Sequence, residues 1–460
     1  MANSNDLGKD TGTSRREFLK NTGRIATASA LAAGIVPKVY AAGNDTIKVA
    51  LIGCGGRGTG AASNALSVKN GPIKLVALAD VFGNRVARSY KSLKDRHAGQ
   101  VDVPEDRKFV SFDGYKKAMD CLDKGDVAIF ATPPAFRWVH FTYAIKKGLN
   151  VFMEKPVTVD GPTTHRMLQL AEQSVRKNLK VGVGLMSRHS RALEELAKRV
   201  HDGEIGDIIL QRGYRMAGRS ATVGPKPDGI SELLYQIRNF HSFLWASGGM
   251  YSDYYIHIID HLGWMKNAWP VKAQALGAQH YHDDSVDQNF DLYAVEYTYA
   301  DGTTFNFDGR RMTGCQNIYS SYLHGTKGMA IASKSGDCGR PSSIFKGQTP
   351  VRSDMIWQSN VSREESNPYQ NEWDDLIDAI RQDKPYNEVK RGAEVSLVNT
   401  MGRMAAHTGQ IITYDQALNC KHEFAPSVGE LTMDSQAPLR SDSEGKYPVP
   451  QPGILKDREY

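Results

Sequence analysis

Four residues in the stretch Gly248–Met265, GGMYSDYYIHIIDHLGWM, combine reactive side chains with helical spacing. At 100° per residue a helix brings Asp253, His257, Asp260 and Trp264 within about 60° of one another. Ile256, Ile258, Ile259, Leu262 and Met265 occupy the rest of the circumference. Solvent-facing stripes normally carry Lys and Glu, so ionisable groups on an otherwise apolar helix need partners or a task. Histidine, with an ordinary pKa near ~6.5, can accept a proton near neutral pH. His257 is therefore the expected proton mover, with Asp253, one turn earlier, tuning it. His257 and His261 at i,i+4, together with Asp253 or Asp260, also have the spacing to hold a divalent metal. HExxH is absent and a glycine motif accounts for a cofactor without one, so no metal is expected.

The first half of the chain carries a second pattern. Thr46–Ile52 reads as a buried strand of β-branched and aliphatic residues, running straight into Gly53-Cys54-Gly55-Gly56-Arg57-Gly58. A helix start of small residues follows, from Thr59 to Leu66. Between strand and helix each glycine has a use: a tight turn, close approach of a pyrophosphate, and close helix–strand packing. The helix N-terminus adds amides and a positive dipole for phosphate. A second strand, Lys74–Ala79, ends at Asp80. A carboxylate there accepts from ribose hydroxyls and repels a 2′-phosphate, favouring NAD over NADP; the alternative is that Asp80 only caps the next helix, and the nearby Arg85 tempers the preference.

Further βα units follow: Asp126–Ala131 closing at Thr132-Pro133-Pro134, then Leu149–Met153 ending in Glu154-Lys155-Pro156, then Val181–Leu185. In open α/β sheets the residues just past the strand C-termini face the ligand crevice. Gly53, Gly55, Gly56, Arg57, Gly58, Asp80, Thr132, Pro133, Glu154 and Lys155 are thus the expected cofactor-facing set. The bond before Pro156 is open to the cis form, which would fix Lys155 inward.

The strand–GCGGRG–helix start, Asp80, ATPP, GLNVFMEKP and GGMYSDYYIHIID, in that order, resemble the Gfo/Idh/MocA family. The resemblance covers roughly residues 46–420. It implies a dehydrogenase of sugars or cyclitols, with Lys155, Asp253 and His257 as the catalytic group. Two positions depart from it. Arg137 stands where the family often has a histidine in the nicotinamide pocket, and is counted with the cofactor contacts; Tyr255 stands where it often has glycine. The first departure bears on cofactor reactivity, the second on the substrate pocket.

The resulting fold expectation is α/β: an N-terminal Rossmann domain at 46–185 and a C-terminal α+β domain at 186–420 with a mostly antiparallel sheet. Ile208–Tyr214, Val271–Gln279, Asp291–Tyr299 and Thr303–Phe307 are its strand-like runs. Residues 216–240, rich in Gly, Pro and Arg, read as a loop over the site, and Asn371–Arg381 as an amphipathic helix packing back on the core. Arg188, Tyr254 and Asp260 are candidate substrate contacts, with Tyr235, Trp245, Tyr251 and Tyr255 as further aromatic faces for a sugar ring. The Pro/Ser/Asp-rich stretch 421–460 reads as a tail that wraps the surface or frays.

The first 42 residues read as an address. Ser14-Arg15-Arg16-Glu17-Phe18-Leu19-Lys20, an Ala-rich run from Ile25 to Val36, and small residues up to Ala42 resemble a twin-arginine export signal. The apolar run is too short to span a membrane, and no cysteine follows it to carry a lipid anchor. Without residues 1–41 the formal charge falls from +6 to about +3, which gives no electrostatic case for nucleic acid. Five scattered cysteines with no CxxC pair indicate neither a zinc site nor a disulfide framework.

Together these readings point to a periplasmic or otherwise exported NAD-dependent oxidoreductase, acting on a secondary ring hydroxyl of a sugar or glycoside, with C3 the expected position. NAD is scarce outside the cytoplasm, so the cofactor is expected to be tightly held. The alternatives are a redox-neutral NAD-dependent glycosidase or lyase, which Lys155 disfavours, and a non-catalytic dinucleotide- or sugar-binding protein. The expected partner is a small sugar or glycoside, and the expected assembly a homo-oligomer.

Overall fold

A computed structural model describes residues 45–460; the expected export signal lies outside the described residues. Six parallel strands come first: β1 (Ile47–Ile52), β2 (Ile73–Asp80), β3 (Lys108–Val110), β4 (Val127–Phe130), β5 (Asn150–Met153) and β6 (Val181–Val183). Their order is β3-β2-β1-β4-β5-β6. β4 and β5 are buried along their whole length, as strands covered on both faces must be. The order reverses between β1 and β4, and ligands bind beyond the strand ends at such a switch point.

The second sheet has nine strands: β7 (Ile208–Ala217), β8 (Lys272–Ala278), β9 (Leu292–Thr298), β10 (Thr304–Arg311), β11 (Ile318–Gly325), β12 (Met329–Ser333), β13 (Ser343–Phe345), β14 (Met355–Gln358) and β15 (Ile412–Thr413). They run β14-β13-β12-β11-β7-β10-β9-β8-β15. All pairings are antiparallel except β7 with β10. The architecture is thus a Rossmann-like parallel sheet followed by a mostly antiparallel one.

The Gly249–Lys266 helix lies against this second sheet and the Val389–Thr408 helix. Two glycines on neighbouring strands let it approach. A Cβ on Gly213 would stand 2.5 Å from Ile258 Cγ2, and one on Gly309 2.6 Å from the Tyr255 ring. The Pro368–Arg381 helix crosses back to the parallel sheet, stacking Trp373 on Phe152 at 4.5 Å. The two sheets are therefore interlocked rather than strung in series.

Two expectations are corrected. The stretch 216–240 is not one loop: β7 continues to Ala217, and Glu232–Arg238 is a helix whose first turn is capped by Ser231. Nor does the chain's end fray. Glu459 is buried against Arg403, its two oxygens 2.8 Å from Nε and Nη2, and accepts from His407 Nδ1 at 2.6 Å. Composition made 421–460 look like tail, but a fully buried arginine on the Val389–Thr408 helix needs a counter-anion, and Glu459 provides it. Arg403 also donates to Val159 O, to Gly248 O and to Ser252 Oγ, pinning the start of the Gly249–Lys266 helix. All five cysteines are free. No helix among the described residues is long and apolar enough to cross a membrane.

Glu459→Ala should lower the unfolding free energy by about 3–5 kcal/mol, read from denaturant midpoints, because Arg403 stays buried without its partner. Burial alone would raise the Glu459 pKa, but Arg403 and His407 bring it down to about 2. Its contribution is thus fully present above the ordinary carboxylate range near ~4.3 and disappears as pH falls towards about 2. The stability gap between wild type and Glu459→Gln should narrow over that window.

Candidate active site

The C-terminal ends of β1, β2, β4 and β5 open into a cleft of about 960 Å³, closed on its other side by the second domain. All ten residues of the sequence-derived cofactor set line it, as does Arg137. The Gly56–Leu66 helix starts here with Gly55 as its N-cap, no side-chain cap and no acid in its first turn. Its leading amides are thus open to an anion. Gly53 has φ +97°, and a Cβ there would lie 2.5 Å from Ala131 C; one on Gly58 would lie 1.9 Å from Gly53 O. Those two glycines serve backbone packing. A Cβ on Gly55 or Gly56 would meet nothing within 4 Å, so these two leave open ground over the amides. The cradle fits a dinucleotide pyrophosphate.

Asp80 accepts from Cys54 N at 2.7 Å and from Phe82 N at 2.9 Å. It ties the glycine loop to the end of β2, and the next helix takes Phe82, not Asp80, as its N-cap. The carboxylate still has acceptor capacity for a ribose hydroxyl. Burial raises the Asp80 pKa, and the surrounding amides oppose that. Arg57 Nε stands 3.0 Å from Glu154 Oε1 and stacks over Tyr369 at 4.7 Å. Arg137 is not a free charge in the pocket. It is buried, and its guanidinium donates to Phe130 O (2.9 Å) and Thr132 O (3.0 Å), bracing the turn after β4.

Lys155 and Asp253 meet where the parallel sheet faces the Gly249–Lys266 helix. The Lys155–Pro156 bond is cis. Lys155 Nζ donates to the Asp253 main-chain oxygen at 2.6 Å and lies 3.4 Å from its carboxylate. The other carboxylate oxygen is 3.0 Å from His241 Nε2. Burial works against the Asp253 charge, but Lys155 and His241 together hold its carboxyl well below the usual range. His257 lines the same cleft, buried, with Nδ1 unpartnered. Burial lowers its pKa to about 4; Asp337 opposes that, while Lys155 and Arg215 add to it. Asp253, expected to tune His257, is thus chiefly the partner of Lys155 and His241.

The four-residue stripe divides along the helix. Asp253 and His257 face the cleft, whereas Asp260 is buried and takes three contacts of 2.8–3.0 Å from Arg188. Arg188 also stacks over Trp264 at 5.3 Å. Arg188 and Asp260 satisfy one another, and neither lines the cleft, so the structure does not place these two expected substrate contacts at the site. Tyr254 does line the cleft, with Arg311 over its ring at 4.5 Å. The other aromatics do not. Trp245 is buried on Gln236, Tyr251 on Tyr297, Tyr235 bonds Gly224 O, and Tyr255 packs on Gly309. His261 turns to Ser321 Oγ at 2.8 Å, away from His257's role.

Sequence reading missed Arg215, His241, Asp337 and Tyr369, all of which line the cleft. None lies in a motif, and only the folded chain brings them together. Among the described residues, His189, Glu194 and Asp375 cluster closely enough to suggest a metal. Yet both ring nitrogens of His189 are engaged, by Asp375 at 2.7 Å and Glu388 at 3.2 Å. Burial opposes its charge, but those carboxylates raise its pKa to about 10, so the cluster is an ion-pair network.

Residues 47–200 match the Gfo/Idh/MocA model, an oxidoreductase family with an NAD-binding Rossmann fold. The matched stretch is about a third of the chain and holds the whole parallel sheet. An inositol 2-dehydrogenase of Leifsonia xyli subsp. xyli is 30% identical over 120 residues, 26% of this chain and 33% of that one. The chain thus spans about a third of the curated relatives it matches. Over most of its length it shares the fold of a myo-inositol 2-dehydrogenase from Lactobacillus plantarum, with TM-score 0.59, 22% identity, and 80% of this chain and 99% of that one covered. Levoglucosan dehydrogenase in complex with NADH and levoglucosan superposes with TM-score 0.60 at 17% identity, covering 80% and 100%.

The two kinds of glycine separate in a simple experiment. Gly58→Ala should destabilise the fold, because its methyl group collides with the Gly53 carbonyl. Gly56→Ala should keep its melting temperature yet bind NAD more weakly, measured by titrating nucleotide-stripped protein.

Proposed function

We propose that this protein is an NAD-dependent oxidoreductase that oxidises a secondary ring hydroxyl of a sugar or glycoside, with C3 the favoured position. The observation that carries this reading is the presence of Lys155 and His257 in the cleft that the glycine loop also lines. The names of similar proteins, which act on inositol and levoglucosan, agree with a polyhydroxylated ring as substrate. The export-like sequence at residues 1–42 is the ground for proposing that the protein works outside the cytoplasm, with its dinucleotide tightly held.

Bound NAD supplies the hydride acceptor. The protein's share is the proton and the developing negative charge. His257, neutral at ordinary pH because burial depresses its pKa to about 4, has a lone pair available for the hydroxyl proton. Lys155 donates towards the same oxygen and stabilises it as it becomes an alkoxide. Asp253 holds Lys155 in place and keeps its charge local. Asp80 favours NAD because its carboxylate would repel a 2′-phosphate.

Protein purified without added nucleotide should release NAD on denaturation, identified by mass; recovering no dinucleotide, or mainly NADP, would sink the cofactor assignment. Asp80→Ala should narrow the preference between the two. With an artificial electron acceptor, pyranosides should yield ketones by NMR. Turnover of linear polyols alone would refute the substrate class, and cleavage without net oxidation would move the protein to the glycosidase or lyase branch.

His257→Ala should retain NAD while losing about 10²–10⁴ in turnover. Because the His257 pKa is depressed, the active neutral form persists as pH falls and is lost only near pH 4. The acid limb of kcat/KM should lie there rather than near ~6.5.

A further inference from the structure

We propose that Arg215 and Asp337, both held by Tyr319 on the cleft wall built by the second sheet, form a subsite that grips adjacent hydroxyls of an uncharged sugar ring. This rests on reading the cleft as a sugar oxidoreductase site and names what would select the substrate there.

The pair is held rigidly. Arg215 on β7 sits directly opposite Tyr319 on β11, and its guanidinium carbon lies 3.5 Å from the Tyr319 ring centre. The Tyr319 hydroxyl donates to Asp337 Oδ2, and Cys338 Sγ donates to Oδ1 at 3.2 Å. Gly336 N donates to Tyr319 O at 2.9 Å, fastening the loop that carries Asp337 onto β11. Both residues line the cleft that contains Lys155 and His257.

Their bonding is incomplete in a way that suits a diol. A carboxylate has about four acceptor sites. Tyr319 and Cys338 take one on each oxygen, leaving roughly one more on each. Arg215 makes no side-chain hydrogen bond among the described residues; its Nε is buried over Tyr319, which leaves the Nη groups to donate to a ligand. A hydroxyl both donates and accepts, so two neighbouring hydroxyls can donate to the carboxylate while accepting from the guanidinium. Burial works against the ionised form of Asp337, yet His257 and the Tyr319 hydroxyl hold its carboxyl below the usual range, so it accepts at neutral pH.

Charge defines the ligand further. Near Lys155 two of the cations have carboxylate partners, Lys155 with Asp253 and Arg57 with Glu154, and the charge of Arg215 is felt at Asp337. A uronate or a sugar phosphate would bring an unmatched anion against Asp337. A neutral ring brings none.

The test compares neutral pyranosides, their monodeoxy analogues and the matching uronates on the NAD-loaded enzyme. Asp337→Asn and Arg215→Met should each raise KM for the neutral sugar about 10- to 100-fold, the usual effect of losing a charged hydrogen bond, and by more than they lower kcat. Arg215→Lys should recover part of the loss, and NAD content should not change. One monodeoxy analogue should be poor for wild type but lose little more in Asp337→Asn. Oxidation of pyranosides with unchanged KM and unchanged discrimination in both variants would overturn the subsite while leaving the proposed activity intact, and so would a wild-type preference for uronates. If wild type oxidises no sugar, the activity reading fails, and binding of the same panel is followed by the fluorescence of bound NADH. Binding that is lost in Asp337→Asn would still support the subsite; no binding, or binding equal in wild type and variant, would overturn it.

Discussion

Removing the Asp253 carboxylate from water is the costly step on which the site depends. A buried, unpaired carboxylate costs several kcal/mol, and the cost is offset only where geometry and hydrogen bonding are good. Here the compensation comes from two other segments: Lys155, just past β5, and His241, in the turn before the helix. One anion therefore joins the end of β5, the Gly249–Lys266 helix and the Phe240–Ser242 turn that carries His241. Arg403 grips the same end of the helix from behind, through Gly248 O and Ser252 Oγ. With cations on both sides, the first two turns of that helix have little freedom, and His257 inherits the precision.

That precision also requires the helix to lie close to the sheet. Side chains as large as Tyr255 and Ile258 face β7 and β10, and normal spacing would lift the helix away from the cleft. The missing Cβ atoms of Gly213 and Gly309 admit them. This explains the tyrosine at 255 without assigning it to the substrate. A large side chain there is accommodated by glycine in the sheet, and the cleft is shaped by Tyr254 instead.

What could be read from the sequence follows from how far apart the interacting residues lie. The glycine loop, Asp80 and the residues after β4 and β5 were legible because their roles are set by position within one βα unit. The Gly249–Lys266 helix was legible from its periodicity, but periodicity treats every turn alike. The helix passes from the cleft into the core, so Asp260 and Trp264, on the same stripe as His257, meet Arg188 rather than a ligand. Arg215, His241 and Asp337 were invisible for the opposite reason: no local pattern marks them, and strand pairing across more than a hundred residues sets Arg215 against Tyr319. Glu459 was hidden by its neighbours, whose composition is that of a surface segment.

The pairing of charges around Lys155 bears on how such a site would handle a proton. Alcohol oxidation leaves a proton behind, and the group that takes it becomes charged in a place where burial already disfavours charge. Burial depresses the pKa of His257 for that reason, and Lys155 and Arg215 depress it further. Asp337 is the counterweight, since its charge favours the imidazolium that the charge of Lys155 disfavours. A base made weak by burial is still effective when the proton it receives comes from a hydroxyl whose oxygen is stabilised by a neighbouring ammonium, because donor and acceptor then approach each other in affinity. In the proposed reaction Lys155 would thus act on both sides of the transfer, making the hydroxyl more acidic and the imidazole less basic. The balance between them is set by two aspartates, one on the helix and one on a loop of the second sheet.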